Sequence, residues 1–141
     1  MLMFKLDPRI EKDSIFVKEL PLCQLRLQND SRYPWFVLLP RVNELTEVHQ
    51  LSEHEQMQLM KESALVSKAL TATTQCKKIN VANLGNVVAQ LHWHIVARFE
   101  HDQTWPGPIW GIGASIAWQD QKRAEFIDSF LENLSQLSQF K

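Results

Sequence analysis

The chain has no excess of positive charge and little cysteine, and these shortages exclude several classes of protein. Its 15 lysines and arginines are balanced by 16 aspartates and glutamates. A formal net charge of −1 argues against a protein that binds a nucleic acid polymer or an anionic membrane through a cationic surface. Cys23 and Cys76 are far apart and form no C-x-x-C motif. We therefore expect two free thiols in a reducing compartment.

Long apolar runs are also missing. No segment approaches the roughly 18 consecutive apolar residues that a transmembrane helix needs, and the N-terminal stretch MLMFKLDPR is charged too early for a signal peptide. We expect a cytoplasmic protein. Repeats, low-complexity segments and linkers are absent as well, which predicts a single domain over residues 1–141. A chain of this length buries roughly two thirds of its unfolded surface without help from a metal or a disulfide.

Strand signals are present along much of the chain. Polar and apolar residues alternate in some segments, and continuous apolar runs bounded by proline or turn residues occur in others. Together they predict five strands, over residues 14–18, 22–28, 35–39, 79–84 and 91–99. The last two are close enough in sequence to form a hairpin.

Helix signals separate these strands. Asp7 followed by proline predicts a short helix to about residue 13. Ser52 and Glu55 have the capping-box spacing and predict a long helix to residues 73–75, with Met57 and Met60 in its core-facing side. An apolar stripe from Asp120, extended by Leu137 and Phe140, predicts a last helix. The order predicts an α+β fold, in which an approximately five-stranded, mainly antiparallel sheet accompanies one long central helix and a C-terminal helix.

Two of the five histidines lie in the last predicted strand, within Gln90-Leu-His-Trp-His94. Side chains alternate across a strand, so Gln90, His92 and His94 are expected on one face, about 6.6 Å apart. One interpretation is that the two histidines are half-exposed strand residues with no role. The remaining histidines, His49, His54 and His101, are expected at the surface.

Metal binding is a second interpretation, because two histidines at positions i and i+2 of a strand can share an ion. With Gly85, Glu100 and Gly107 they approximate the cupin pattern, but the first two gaps are each one residue too long. A cupin is also an all-β barrel, whereas two substantial helices are predicted here. We therefore expect no metal at these histidines, and a small metal-binding protein is kept only as a third alternative.

Nucleophilic catalysis is a third interpretation. A neutral imidazole can attack phosphorus and form a phosphoramidate, which divides one difficult displacement into two easier ones. The ring nitrogen that does not attack must then be held as N–H by an acceptor. Hydrogen-bond donors must also surround the phosphoryl oxygens. His92, at the centre of the row, is within reach of both neighbours.

Residues 90–96 (QLHWHIV) resemble the signature of the histidine-triad (HIT) family, His-φ-His-φ-His-φ-φ, with glutamine in the first position. Three further segments are similar to the family's pattern and occur in the expected order. These are the apolar strand with its proline and basic residue at 35–41, the asparagine-glycine segment at 83–85, and the aromatic-proline loop at 105–107. The resemblance extends over about residues 14–111.

The resemblance implies roles for individual residues. His92 corresponds to the family's nucleophile toward the α-phosphorus of a nucleotide, and His94 to the histidine that contacts the phosphate oxygens. Asn83 is the candidate for the asparagine of the phosphate site, and Asn29 or Asp30 for the residue that holds the ribose hydroxyls. Family members are typically homodimers that hydrolyse or transfer nucleotides, with dinucleoside polyphosphates and nucleoside phosphoramidates as substrates and no metal or cofactor.

Several positions leave alternatives open. Gln90 cannot carry a proton, so a non-catalytic nucleotide-binding protein competes with an enzyme, and Gln90→His is expected to give equal or faster turnover. Arg98 either neutralises a distal phosphate or is a solvated residue at a strand end. Trp105 and Trp110 either stack on a base or a partner subunit, or pack against their own domain.

Overall fold

The computed structural model describes residues 3–138, and five strands there form one antiparallel sheet in the order β1-β2-β3-β5-β4. The strands are β1 (Ser14–Glu19), β2 (Cys23–Gln28), β3 (Trp35–Pro40), β4 (Lys78–Ala82) and β5 (Trp93–Arg98). The helices are α1 (Pro8–Asp13), α2 (Glu53–Thr74) and α3 (Asp120–Ser138), with a short 3-10 turn at Val48–Gln50. The predicted α+β fold, with its long central helix and C-terminal helix, is confirmed. Phe140 lies outside the described residues.

The central strand β3 is apolar throughout because both of its faces are covered. Phe36 and Leu38 belong to the main core beneath α2 and α3, and the rings of Phe36 and Phe130 lie 4.1 Å apart. Trp35, Val37 and Leu39 belong to a second apolar cluster on the other face. That second face carries the candidate site.

Helix α2 begins at the predicted capping box. The Ser52 hydroxyl accepts a hydrogen bond from the Glu55 amide at 3.1 Å, and the Glu55 carboxylate accepts one from the Ser52 amide at 2.9 Å. The prediction that Met57 and Met60 belong to the core is wrong, since they are 62% and 52% exposed. A different side of the helix faces the sheet, with Leu59, Val66, Ala69 and Leu70 buried.

The two C-terminal strands are shorter than predicted. Pairing of β4 with β5 ends at Ala82 and His94, so residues 83–92 form an irregular connection. Within it the Leu91 amide donates to the carbonyl of Leu45 at 2.9 Å, away from the sheet. Gln90 and His92 therefore precede the strand.

Within residues 3–138, no helix combines the length and the apolar character needed to cross a bilayer. The cytoplasmic location stays a prediction. Cys23 and Cys76 are both free thiols, as expected. Burial, with Glu62 nearby, raises the pKa of the Cys23 thiol, so this cysteine stays protonated and unreactive.

Candidate active site

A cavity of about 520 Å³ opens on the face of the sheet that Trp35 and Val37 share. Its walls are formed by residues of the strands β2, β3 and β5, the connection between β4 and β5, helix α1, and the loop that carries Trp110. His92 and His94 both line it. The structure thus brings the two histidines together in one concave site.

His92 is half-buried, and its orientation is set by a backbone group. Its Nδ1 lies 2.7 Å from the carbonyl oxygen of Gln90. A carbonyl only accepts hydrogen bonds, so Nδ1 carries the hydrogen and Nε2 keeps its lone pair. A nucleophilic imidazole requires an acceptor that holds its other ring nitrogen as N–H. Here that acceptor is the backbone carbonyl of Gln90, not its side chain.

His94 is only 5% exposed and is held in the opposite tautomer. The indole Nε1 of Trp35 donates to His94 Nδ1 at 3.0 Å, which leaves the hydrogen on Nε2. Burial, and then the neighbouring His92, lower the pKa of His94 to about 3. His94 is therefore a neutral hydrogen-bond donor across the physiological range of pH.

The two loop tryptophans have different surroundings. Trp110 lines the cavity and packs edge-on against His94, with ring centroids 5.3 Å apart, and against Trp35 at 6.3 Å. Trp105 does not line the cavity; it lies 5.8 Å from the Arg98 guanidinium. Trp110 is thus available to a ligand, whereas Trp105 packs against its own domain.

The prediction of a three-residue row is wrong for Gln90, whose side chain does not line this cavity. Its Oε1 accepts from the amide of Asp7 at 2.7 Å, and its Nε2 donates to the carbonyl of Lys5 at 2.9 Å. Strand alternation does not apply to Gln90 because it precedes β5, and the N-terminal segment offers it backbone partners.

The three predicted substrate residues before the signature lie outside the cavity. Asn83 is exposed, and Asn86, three residues later, lines the wall in its place. The Asn29 side chain accepts from the Trp118 amide at 3.0 Å, and the buried Asp30 pairs with Arg32 at 2.7 Å. The side chains of Asn29 and Asp30 therefore bind Trp118 and Arg32 of the same protein.

Several lining residues, among them Gln28, Asp13 and Arg9, were not among the predicted substrate residues. The sequence did contain a signal for Gln28. It continues the alternation of Gln24 and Arg26 along β2, and Arg26 pairs with Val37 on the cavity face. Asp13 has no such signal, because only the packing of α1 against the sheet places it at the cavity.

Arg98 is 1% exposed and is absent from the cavity wall, so it is neither the phosphate contact nor the solvated strand-end residue that the sequence left open. Its guanidinium bonds the Asp102 carboxylate at 2.8 and 3.0 Å and the Gly107 carbonyl at 2.8 Å. Burial alone would raise the pKa of Asp102, but hydrogen bonds from Arg98 and from two backbone amides lower it to about 2. Arg98 holds the loop that ends in Trp110.

The other histidines are exposed, as expected, and no group of three histidine, cysteine or acidic side chains within residues 3–138 is placed to hold a metal. Glu100 is exposed and pairs with Lys77 at 3.5 Å. The open sheet with its two long helices is incompatible with a cupin barrel.

A family model described as the HIT domain matches residues 9–101. The chain belongs to the HIT family. The matched region contains every strand of the sheet, both cavity histidines and helix α2. It begins after the N-terminal segment that Gln90 binds.

Solved structures of other HIT proteins have the same fold. A histidine-triad protein from Sinorhizobium meliloti 1021 is 43% identical, with a TM-score of 0.91 over 92% of this chain and 96% of that chain. One from Bradyrhizobium japonicum is 38% identical, with a TM-score of 0.92 over 94% and 99%. One from Marinobacter aquaeolei VT8 is 36% identical, with a TM-score of 0.91 over 96% and 98%. No curated protein matches this HIT protein significantly in sequence.

Proposed function

We propose that this HIT protein is a nucleotide hydrolase or nucleotidyl transferase. It acts at the α-phosphate of a dinucleoside polyphosphate, such as diadenosine tetraphosphate, or of a nucleoside phosphoramidate. The observation that carries the proposal is the hydrogen bond of His92 Nδ1 to the Gln90 carbonyl. It leaves a nucleophilic Nε2 on a ring that lines the cavity.

The reaction proceeds in two displacements. The lone pair of His92 Nε2 forms a bond to the α-phosphorus, and the bond from phosphorus to the leaving group breaks with its electron pair on that group. The leaving group of a dinucleoside polyphosphate departs as an anion, whereas the amine of a phosphoramidate takes a proton from solvent and departs uncharged. The attacking ring becomes cationic, and the Gln90 carbonyl stabilises the Nδ1–H of this nucleotidyl-histidine. The oxygen of water or of another hydroxyl acceptor then forms a bond to phosphorus and gives its proton to solvent. The bond from phosphorus to Nε2 breaks with its electron pair returning to that nitrogen, which restores His92 to its original form.

His94 supplies stabilisation without proton transfer. Its Nε2–H is a preorganised donor on a ring that is only 5% exposed, an arrangement suited to a phosphoryl oxygen on which charge increases. The amide of Asn86 is proposed as a second donor, in place of Asn83. Trp110 and Leu84 offer apolar surface for the base.

We also propose that the protein is a homodimer, as family members typically are. The exposed methionines of α2, Met57 and Met60, support an apolar contact there because they are one helical turn apart on its outer side.

A covalent trapping experiment tests the proposed activity. Diadenosine tetraphosphate labelled at the α-phosphate, and labelled adenosine phosphoramidate, are incubated with the protein and quenched in denaturant. Adenylyl-protein is expected with the unchanged chain and not with His92→Ala. A matched control, His101→Ala, removes an exposed histidine outside the cavity and should leave the label unchanged.

A non-catalytic nucleotide-binding protein is the second candidate, favoured by the lack of a proton carrier at Gln90. Quenching of tryptophan fluorescence by AMP, combined with no turnover of either substrate, would support this second candidate and contradict the enzyme.

A further inference from the structure

Two carboxamide side chains hold the N-terminal segment at residues 3–7, which we call the strap. Asn43 donates to the Met3 carbonyl at 2.9 Å and accepts from the Lys5 amide at 2.9 Å. Gln90 donates to the Lys5 carbonyl at 2.9 Å and accepts from the Asp7 amide at 2.7 Å. The strap thus donates two and accepts two hydrogen bonds, all with two side chains that are far away in the sequence.

The amide chemistry explains why residue 90 is suited to this contact. A carboxamide presents a donor and an acceptor side by side, as a peptide group does, and so substitutes for a neighbouring strand. The two nitrogens of an imidazole point in divergent directions. A histidine at position 90 therefore cannot bond the Lys5 carbonyl and the Asp7 amide in the same way.

The strap continues directly into the wall of the cavity. The Asp7 carboxylate caps α1 by accepting from the Arg9 amide at 2.8 Å, and it binds the Arg9 guanidinium at 3.1 and 3.0 Å. The side chain of Arg9 is largely exposed and lines the cavity with His92. Among the described residues of that wall, Arg9 is the only lysine or arginine.

We propose that Gln90 is a positioning residue. Together with Asn43 it holds the strap so that Asp7 presents Arg9 to the anionic leaving group of the substrate. This inference rests on the proposed function. It gives the amide at the first triad position a role that requires no proton transfer. It also assigns a substrate contact to Arg9, a residue that no sequence motif indicates. Because Arg9 acts on a charged leaving group, its contribution is larger for diadenosine tetraphosphate than for adenosine phosphoramidate, whose leaving group is an uncharged amine.

Limited trypsin digestion tests the strap without reference to activity. Cleavage after Lys5 and Arg9 is compared in the unchanged chain, Gln90→Ala, Asn43→Ala and the control Asn133→Ala, whose amide bonds Thr73 and Ser129 on the far side of the fold. Each strap variant loses two hydrogen bonds, so opening and cleavage should increase about tenfold. Asn133→Ala should not change it. Unchanged cleavage in both strap variants would refute the strap.

Steady-state kinetics test the role of Arg9. Arg9→Ala is expected to raise KM for diadenosine tetraphosphate about tenfold, as for loss of a charge-assisted contact, with a smaller effect for the phosphoramidate. Gln90→Ala and Asn43→Ala should raise the same KM. Combining Gln90→Ala with Arg9→Ala should add little to Arg9→Ala alone, because both changes remove one interaction.

The outcomes separate this inference from the proposed function. Increased cleavage without a change in KM, or additive effects of Gln90→Ala and Arg9→Ala, would refute the positioning role. If the unchanged chain neither turns over nor binds nucleotide, the proposed function and the role of Arg9 both fail, and proteolysis alone decides whether the strap is held. Gln90→His should behave like Gln90→Ala, opposite to the expectation from the signature alone; equal or faster turnover would contradict the proposal.

Discussion

The two cavity histidines use the same ring nitrogen for support, with opposite polarity. His92 Nδ1 donates to a backbone carbonyl, and His94 Nδ1 accepts from the indole of Trp35. Nε2 is consequently an acceptor in His92 and a donor in His94. One ring is prepared to attack an electrophile and the other to stabilise an anion, although only one residue separates them.

Trp35→Phe tests the support of His94. The change removes the Nε1 donor and keeps an aromatic ring, so the tautomer of His94 is no longer fixed. We expect about a tenfold loss of kcat/KM and about 1 kcal/mol of unfolding free energy, measured by kinetics and thermal denaturation. Trp93→Phe is the control, because it loses a comparable bond from Nε1 to Ser63 at 2.9 Å outside the cavity. Equal losses of activity in both variants would contradict this role of Trp35.

The buried, neutral His94 should also affect stability in acid. Its folded pKa of about 3 lies below the ordinary unfolded value near 6.5. The unfolded chain therefore binds more protons between these values, and stability present above pH 6.5 is lost as the pH falls toward 3. Between pH 5.5 and 4, His94→Asn should lower the slope of unfolding free energy against pH by about 1.4 kcal/mol per pH unit. Parallel curves from denaturant titrations would contradict it.

At the scale of elements, the loop after β5 is held by a buried ion pair. The Arg98 guanidinium and the Asp102 carboxylate are 1% and 4% exposed, and both also bond backbone groups of the loop. Removing one partner of such a pair leaves a buried charge without compensation. The loop also carries Trp110 to the cavity, so its anchoring connects stability with the site.

Asp102→Ala is expected to lower the free energy of unfolding by about 3 kcal/mol and to weaken AMP binding through displacement of Trp110. Urea denaturation and fluorescence titration measure the two effects. Glu19→Ala is the matched control, since its pair with Arg41 at 2.6 Å is partly exposed. Such a pair contributes at most about 1 kcal/mol. Similar losses of unfolding free energy in both variants would show that the buried pair stabilises the protein no more than the partly exposed one.

At the scale of the whole molecule, one face of the sheet forms the larger core and the other carries the cavity. The face beneath α2 and α3 contains the larger core. The opposite face is covered by α1 and by the loop of Trp110, and these leave the cavity open above β3 and β5. The outer side of α2 remains exposed at Met57 and Met60.

A double substitution tests the proposed dimer. Met57→Glu with Met60→Glu places two charges on the outer side of α2 and should shift the protein to monomer in sedimentation equilibrium, because unpaired charge in an apolar interface is strongly unfavourable. Phe16→Glu is the control, since it changes another exposed apolar residue, on β1. A monomeric unchanged chain, or a dimer that the double variant does not disturb, would refute an interface at α2.

Several elements were predictable because their signals are local. Ser52 and Glu55 cap the helix they were expected to begin, and the apolar run at 35–39 is the buried central strand. The prediction of which side of α2 is buried failed because α2 carries apolar residues on more than one side, and its packing against the sheet selects among them. Alternation along a strand does not determine where the side chain of a residue before the strand points. For this reason the predicted orientation of Gln90 was wrong.

The sequence by itself determined the α+β order, the HIT signature and the identity of the two histidines, because periodicity, capping and spacing act over short distances. Only the tertiary structure decided what surrounds those histidines. It turned Gln90 toward Lys5 and Asp7, buried Arg98 under the loop, and moved Arg9 to the cavity wall. These contacts join residues far apart in the chain, and a polar side chain takes whichever partner the folded chain brings within hydrogen-bonding distance.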